Sequence, residues 1–408
     1  MRSLATLKPL IEQQISGSPE NVSVIEFLDL LVEYGYGSRA SDIHVEPTAK
    51  HIAVRLRIDG ILHDAFTFSR ELHGEIISRI KVLSGLKTDI HHTSQDGRFK
   101  ARIGETEEVD IRVSIAPTYY GENAVLRVLA ETNQIFSVDD LGFSPNQFAQ
   151  LQRAIGRPYG MILANGPTGS GKTTTLYTIL KKLNTRDRSI ITIEDPIEYS
   201  IPGITQIPVN TQVGLTFATG LRAILRQDPN IIMVGEIRDT DTANIAVNAA
   251  LTGHLVLSTL HTNDAATTFP RLIDMGVPPF LVASTVNIAI AQRLVRIVCE
   301  KCRKTRTLTA GELERLTTIL REFYGDVVYT AGKGCDACDG TGYRSRVGIH
   351  EVLLVEDKIR TLIGSGANAS QIKQRAIENG MVTMAEDGFE KAVRGTTTIE
   401  EVLRTVYA

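Results

Sequence analysis

Eight consecutive residues, Gly166-Pro167-Thr168-Gly169-Ser170-Gly171-Lys172-Thr173, fit the pattern G-x-x-x-x-G-K-[ST] without a gap. Glycines at these positions let successive backbone N–H groups turn toward one point, which is how a chain grips a row of phosphates. Lys172 then neutralises the outer phosphates, the Thr173 hydroxyl is placed to ligate Mg²⁺, and Thr174 continues the same cradle. The flanks agree with this reading. Tyr159 and Met161 to Ala164 read as a buried strand, and Thr174, Leu176, Tyr177, Ile179, Leu180 and Leu183 recur at helical spacing. Strand, glycine loop and helix N-terminus in that order suit a nucleotide.

Binding phosphates is not hydrolysis, which also needs an acidic group near the outer phosphate. Ile231-Ile232-Met233-Val234-Gly235-Glu236 puts Glu236 just past an apolar strand, at the edge where open α/β sheets bind ligands. There it can polarise a water or hold magnesium through one. Thr192-Ile193-Glu194-Asp195-Pro196-Ile197-Glu198 ends a second strand; Glu194 is the choice for the group nearest metal and water, with Asp195 beside it. Which of the three carboxylates activates water stays open. His261, after the run Leu255 to Ser258, is placed to contact a γ-phosphate, whereas His254 precedes that strand and either shares the work or caps structure.

The four cysteines form two pairs, Cys299-x-x-Cys302 and Cys335-x-x-Cys338. Paired C-x-x-C units in a reducing compartment point to a metal before disulfides, and four thiolates make a closed, structural zinc site. No thioredoxin-like strand and helix flank either pair, which argues against a redox dithiol.

The elements that must carry these groups are readable. Ser23-Val24-Ile25-Glu26 is a capping-box pattern before Val24, Phe27, Leu28 and Leu31, one apolar helical face. From His51 to Asp59 the period becomes two, with Ile52, Val54, Leu56 and Ile58 on one side, and Asp59-Gly60 marks a hairpin. Val109, Ile111, Val113 and Ile115 alternate likewise, with Arg112 on the polar face; Val125 to Val128 is a further strand. Later, short β-branched runs alternate with helical stretches, the pattern of a parallel sheet covered on both faces. The expected organisation is a tail over 1–22, an α+β domain over 23–132, a linker over 133–145 and an α/β core over 146–295. A tetracysteine subdomain over 296–346 and a helical region over 347–408 follow, with Ala310 to Phe323 helical and Ser370 and Thr398 as candidate helix caps.

Composition narrows the function. The net charge of −3, from 44 basic and 47 acidic residues, lacks the basic excess of a protein that coats nucleic acid. No apolar run reaches the roughly 18 residues of a membrane span, and Met1 to Ala5 does not open a signal peptide. A cytoplasmic protein that meets membranes only through partners is expected.

Several segments together resemble the secretion ATPase superfamily. They are Glu194 to Glu198, Leu221 to Pro229, Val234-Gly235-Glu236-Ile237-Arg238-Asp239 and Thr252-Gly253-His254 through His261-Thr262-Asn263. They are similar to the family's Asp box, arginine-bearing segment, atypical Walker B and His box. Ala40 to Pro47 and Gln95-Asp96-Gly97-Arg98 resemble its second N-terminal domain. The four cysteines resemble those of the type II secretion and type IV pilus assembly subgroup. The resemblance implies a RecA-like P-loop ATPase core, an N-terminal PAS-like domain, a homo-hexamer using ATP, Mg²⁺ and Zn²⁺, and an inner-membrane platform protein as partner. It also implies phosphate-contacting roles for Arg112, Arg127, Arg222 and Arg226; the last two, at i and i+4, would share a helix face. Longer relatives carry a further N-terminal domain that docks on the platform, so docking is expected to differ here or to use a separate chain. The rival readings are a RecA-like nucleic-acid translocase, disfavoured by 6% aromatics and no tryptophan, and a nucleotide-gated platform with little turnover.

Overall fold

The computed structural model describes residues 2–16, 22–104, 107–129, 138–319 and 327–407. Contacts divide the chain into two units, Met1–Asn133 and Gln134–Ala408.

The first unit contains α1 (Leu4–Ser16), α2 (Val24–Gly37), β1 (Ala40–Pro47), β2 (His51–Ile58), β3 (Ile61–Ser69), α3 (His73–Leu83), β4 (Gln95–Ile103), β5 (Glu107–Thr118) and β6 (Gly121–Leu129). Its six strands form one antiparallel sheet in the order β3-β2-β1-β6-β5-β4. Alternate residues such as Ile43, Val45, Val54, Leu56, Ile111, Val113 and Leu126 are buried together under the helices. The Asp59-Gly60 turn takes positive φ at both residues, the geometry a two-residue hairpin needs. The expected tail is helical over Leu4–Ser16: Leu7 and Ile11 are fully buried in this core. Pro9, inside the helix, speaks against a helix in the sequence. Ser23 caps α2 by accepting from Glu26 N, but the Glu26 carboxylate meets Gln14 Nε2 at 3.0 Å, so only half the capping box forms.

The second unit begins with α4 (Pro145–Ile155), β7 (Gly160–Asn165), α5 (Lys172–Leu183), β8 (Ile190–Glu194), β9 (Thr205–Pro208), α6 (Phe217–Ile224), β10 (Ile231–Val234), α7 (Thr240–Leu251) and β11 (Leu255–Leu260). It continues with α8 (Thr268–Asp274), α9 (Pro279–Thr285), β12 (Val286–Val298), β13 (Lys304–Thr307), α10 (Ala310–Ile319), β14 (Val327–Thr330), β15 (Tyr343–Leu354), α11 (Asp357–Gly364), α12 (Ala369–Glu378), α13 (Met384–Val393) and α14 (Ile399–Val406). Seven strands form a sheet in the order β15-β12-β7-β11-β10-β8-β9, parallel except for the β12–β15 pair. Odd and even residues of its strands feed different cores. Met161, Leu163, Ile193 and Val234 pack on one side with α7 and the C-terminal helices; Ile162, Ala164, Met233 and Leu257 pack on the other with α4 and α5. Burial on both faces is why these strands read as unbroken apolar runs.

Several boundaries differ from expectation. β12 runs through to Val298, and the expected helical C-terminal region opens with strand β15, which pairs with β12 from Ile288↔Leu354 to Val298↔Tyr343. The cysteine-bearing segment is therefore an excursion between two adjacent strands. The expected linker lies partly outside the described residues; from Val138 it forms a 3₁₀ turn, and Ser144 caps α4. Asn368, not Ser370, caps α12, because its side chain accepts from Gln371 N at 3.0 Å; Thr398 does cap α14. The helix expected over Ala310 to Phe323 is described to Ile319, and the rest of that expectation lies outside the described residues.

Candidate nucleotide site

β7 ends at Asn165 in the middle of the sheet, between Leu260 on β11 and Ala291 on β12. The chain then turns through Gly166 to Gly171 and enters α5 at Lys172. Gly166, Gly169 and Gly171 have φ of 143°, 76° and 88°, conformations that L side chains resist. Gly171 is the N-cap itself, so the loop delivers backbone N–H groups and the helix N-terminus to one spot. Pro167, Thr168 and Gly169 are exposed, Ser170 is buried, and Thr173 and Thr174 sit partly exposed on the first turn. Lys172 Nζ donates to Gly166 O at 2.8 Å and Pro167 O at 2.9 Å, so the lysine folds back over its own loop. Burial lowers its pKa, and the Glu236 carboxylate pulls the other way. Strands β7 and β10 run parallel on either side of β11, so Lys172 and Glu236 follow strands that end on the same side of the sheet.

Glu236 follows β10 at the same edge. Gly235 N donates to Ile193 O and Ile237 N to Thr259 O, which ties the segment to both neighbouring strands. Its carboxylate is buried yet lies 2.6 Å from Arg238 Nε and 3.3 Å from His261 Nε2, both from exposed side chains. His261 thus joins Glu236. His254 instead bonds Ala249 O through Nδ1 at 2.9 Å, closing the turn after α7.

Glu194 is placed differently. It is 2% exposed and accepts from Tyr177 Oη, from Thr192 Oγ1 at 2.5 Å and from Gln206 Nε2 at 3.2 Å. Burial, then the Glu194 carboxylate, raise the Tyr177 pKa, so the phenol keeps its proton as donor. Asp195 beside it is exposed. Tyr177, Gln206 and Arg238 were not expected as partners; Arg238 alone had a local signal, standing two residues from Glu236.

The arginines fall into two groups. Arg222 lies on α6, 3.9 Å from Asp241 Oδ2, while Arg226 is in the turn beyond α6 and donates to Arg222 O at 2.9 Å. The helix ends at Ile224, so the expected shared helix face covers only the first of them. Arg112 and Arg127 belong to the first unit and pair directly across β5 and β6. They are part of a row running over five strands: Arg57, Asp42, Arg127, Arg112 and Arg98 stand opposite one another in register. Asp42, 5% exposed, holds Arg127 Nε at 2.9 Å and lies 3.6 Å from Arg57 Nε.

The four cysteines converge. All four sulfurs lie within 4.8 Å of one another, with Cys299–Cys335, Cys302–Cys338 and Cys335–Cys338 each at 3.8 Å. Four thiolates around a tetrahedral ion at about 2.3 Å would stand about 3.8 Å apart, so the donor set fits such an ion. Burial disfavours the Cys338 thiolate, but backbone N–H groups of Cys335 and Gly342 outweigh it and bring that thiol down to about 7.

Comparison with known proteins decides the family. Residues 18–404 match the model of the type II/IV secretion system protein family. The chain belongs to that family. It is 48% identical over 382 residues to the type IV pilus assembly ATPase PilB of Thermus thermophilus, covering 93% of this chain and 43% of that one. It is 44% identical over 385 residues to the type II secretion system protein E of Dickeya dadantii, covering 94% and 76%. The chain thus spans under half of the Thermus relative and about three quarters of the Dickeya one. Among solved structures, the pilus retraction motor PilT with bound ADP superposes with a TM-score of 0.63 at 26% identity, covering 92% and 96%. The resemblance to secretion and pilus-assembly ATPases and the RecA-like parallel-sheet core are thereby borne out. No helix among the described residues is long and apolar enough to cross a membrane.

Proposed function

We propose that this chain is a cytoplasmic motor that hydrolyses ATP to drive pilin or pseudopilin assembly in a type IV pilus or a type II secretion machine. The observation that carries the reading is the placement of Lys172 and Glu236 after parallel strands that end on the same side of the sheet, in a chain of this family. On nucleotide binding, Lys172 would exchange the Gly166 and Pro167 carbonyls for outer phosphate oxygens. Thr173 would hold Mg²⁺, whose charge offsets that of the phosphates. Glu236 is the better placed carboxylate to orient and deprotonate the attacking water, because its neighbours are exposed side chains that can move. Glu194 has its oxygens committed to Tyr177, Thr192 and Gln206, which suits it to holding the edge in shape. Asp195 is left to the solvent side. His261, beside Glu236, would register the γ-phosphate. Arg112, Arg127, Arg222 and Arg226 would supply guanidinium charge to the phosphates as the ring closes.

Cys299, Cys302, Cys335 and Cys338 would hold a structural Zn²⁺ that fixes the excursion between β12 and β15. The working assembly would be a homo-hexamer bearing on an inner-membrane platform protein and meeting the membrane through it. Its domains would follow those expected from the sequence, with helix α1 added to the N-terminal one and strands β12 and β15, which bracket the cysteine segment, joined to the core sheet. The test is Mg²⁺-dependent ATP hydrolysis by the purified protein alone, with DNA, and with anionic vesicles carrying the platform protein's cytoplasmic part. Turnover that rises with the platform and ignores DNA supports the motor. Stimulation by DNA alone would make it a translocase, and absence of turnover in every arm a nucleotide-gated scaffold.

A further inference from the structure

Gln292 lies on β12, beside the strand that launches the phosphate loop, one residue beyond the Ala291↔Asn165 pair. Its side chain is 1% exposed and both ends of the amide are used. Nε2 donates to Ser170 O at 2.7 Å, and Oε1 accepts from Thr175 Oγ1 at 2.9 Å. Ser170 lies in the loop and Thr175 on the first turn of α5, and both are buried. One amide therefore bridges the loop to the helix it leads into.

The backbone of the same residue touches the loop's beginning. A Cβ on Gly166 would come within 2.5 Å of Gln292 O, and one on Gly171 within 3.0 Å of Gln292 Nε2. Gly166 is thus demanded twice, by its φ and by close approach to this residue's backbone, while a side chain at Gly171, already disfavoured by its φ, would press on the Gln292 amide. The loop's own buried hydroxyl gives it no comparable anchor: Ser170 Oγ has no hydrogen-bond partner among the described residues.

We propose that Gln292 is a positioning residue for ATP hydrolysis, holding the phosphate loop in its nucleotide-binding conformation before nucleotide arrives. The inference rests on the ATPase reading above and names a part of the machinery that lies outside the family's motif segments. Its physical content is preorganisation. Without the amide, the Ser170 carbonyl and the Thr175 hydroxyl lose their buried partner, and the loop must be ordered at the moment of binding. The loop grips phosphates common to ATP and ADP, so its loss weakens both alike. A loss shared by ground state and transition state raises KM and leaves kcat nearly unchanged. A glutamine that merely satisfied a buried core position would lower thermal stability without this nucleotide signature.

The test uses the full chain and fluorescent ATP and ADP analogues with Mg²⁺, well below the melting temperature. Gln292→Leu should raise the Kd of both nucleotides about tenfold, as expected for two lost hydrogen bonds, with kcat held within about threefold. Gln292→Glu keeps the acceptor for Thr175, loses the donor to Ser170 and adds negative charge near the phosphates, so it should bind no better than Gln292→Leu. Thr175→Val should weaken binding by about threefold, and Thr175→Ser, which keeps the hydroxyl, should restore it. A folded Gln292→Leu protein with unaltered Kd, or one losing kcat with Kd unchanged, would overturn the proposal. Should Gln292→Leu fail to fold, equal affinities for Thr175→Val and Thr175→Ser would overturn it instead. Lys172→Ala separates the two claims. If the unaltered chain shows no Lys172-dependent binding, the ATPase reading falls and this inference with it; if it does and the Gln292 and Thr175 variants match it, only this inference falls.

Discussion

The two sheets of this chain place their charged side chains in two different ways. The antiparallel sheet of the first unit buries one face and leaves the other polar, so a full row of side chains can stand on it: Arg57, Asp42, Arg127, Arg112 and Arg98. In the second unit β7, β8, β10 and β11 are buried at every residue. No face is left on these strands, and the proposed chemistry falls to the ends where Gly166, Glu194, Glu236 and His261 stand. A face tolerates single changes because its groups are spread over strands fixed independently by the core. An edge does not, because each of its groups sits on a short turn whose geometry depends on its neighbours.

The sharpest way to break that contrast is Lys172→Ala, which should reduce Mg²⁺-dependent ATP turnover to background in a steady-state assay while leaving the melting curve nearly in place. Retained turnover would move the chemistry away from the edge. Next, Cys335→Ser with Cys338→Ser should abolish bound metal, measured as zinc per chain, and loosen the segment between β12 and β15 in hydrogen exchange. Protection of the β7–β11 strands should survive, since the excursion leaves from the β12–β15 side of the sheet. Zinc retained by the double variant would contradict the four-thiolate site.

Smaller effects test the ion pairs. Glu401 accepts from Arg296 and Arg404; burial opposes its charge, but those guanidinium groups outweigh it and bring its pKa down to about 2. A lowered carboxylate pKa stabilises the fold fully above its ordinary value near 4.5, and that contribution is lost as pH falls toward 2. Glu401→Gln should therefore lower stability at neutral pH by at most about 3 kcal/mol, and its melting curve should converge on that of the unaltered chain between pH 4.5 and 2. Asp42→Asn is the smallest, at about 1–2 kcal/mol, because Arg127 and Arg57 keep access to water. Its melting shift should be confined to the first unit.

The same contrast explains what could be read in advance. Period-two alternation in β2 and β5 and the Asp59-Gly60 turn are local, and so is the strand–loop–helix around Lys172; all were legible. Helix α1 was not, because Leu7 and Ile11 acquire meaning only against a core built by later residues. The cap at Asn368 was missed because a serine two residues on fits the same rule. The ties that distinguish the carboxylates were out of reach: Glu194 is held by Tyr177 and Gln206, each distant in sequence, and Gln292 meets Ser170 across 122 residues. Motif reading finds groups that act on a ligand; it does not find the groups that hold them.

The most direct test of the account compares Glu236→Gln and Glu194→Gln in paired measurements of ATP affinity and single-turnover hydrolysis. The account predicts that Glu236→Gln binds ATP as the unaltered chain does and hydrolyses it slower by about 10²-fold or more, the range of a lost general base. A Glu236→Gln protein that turns over ATP at the unaltered rate would contradict it, most plainly if Glu194→Gln abolished hydrolysis with affinity intact.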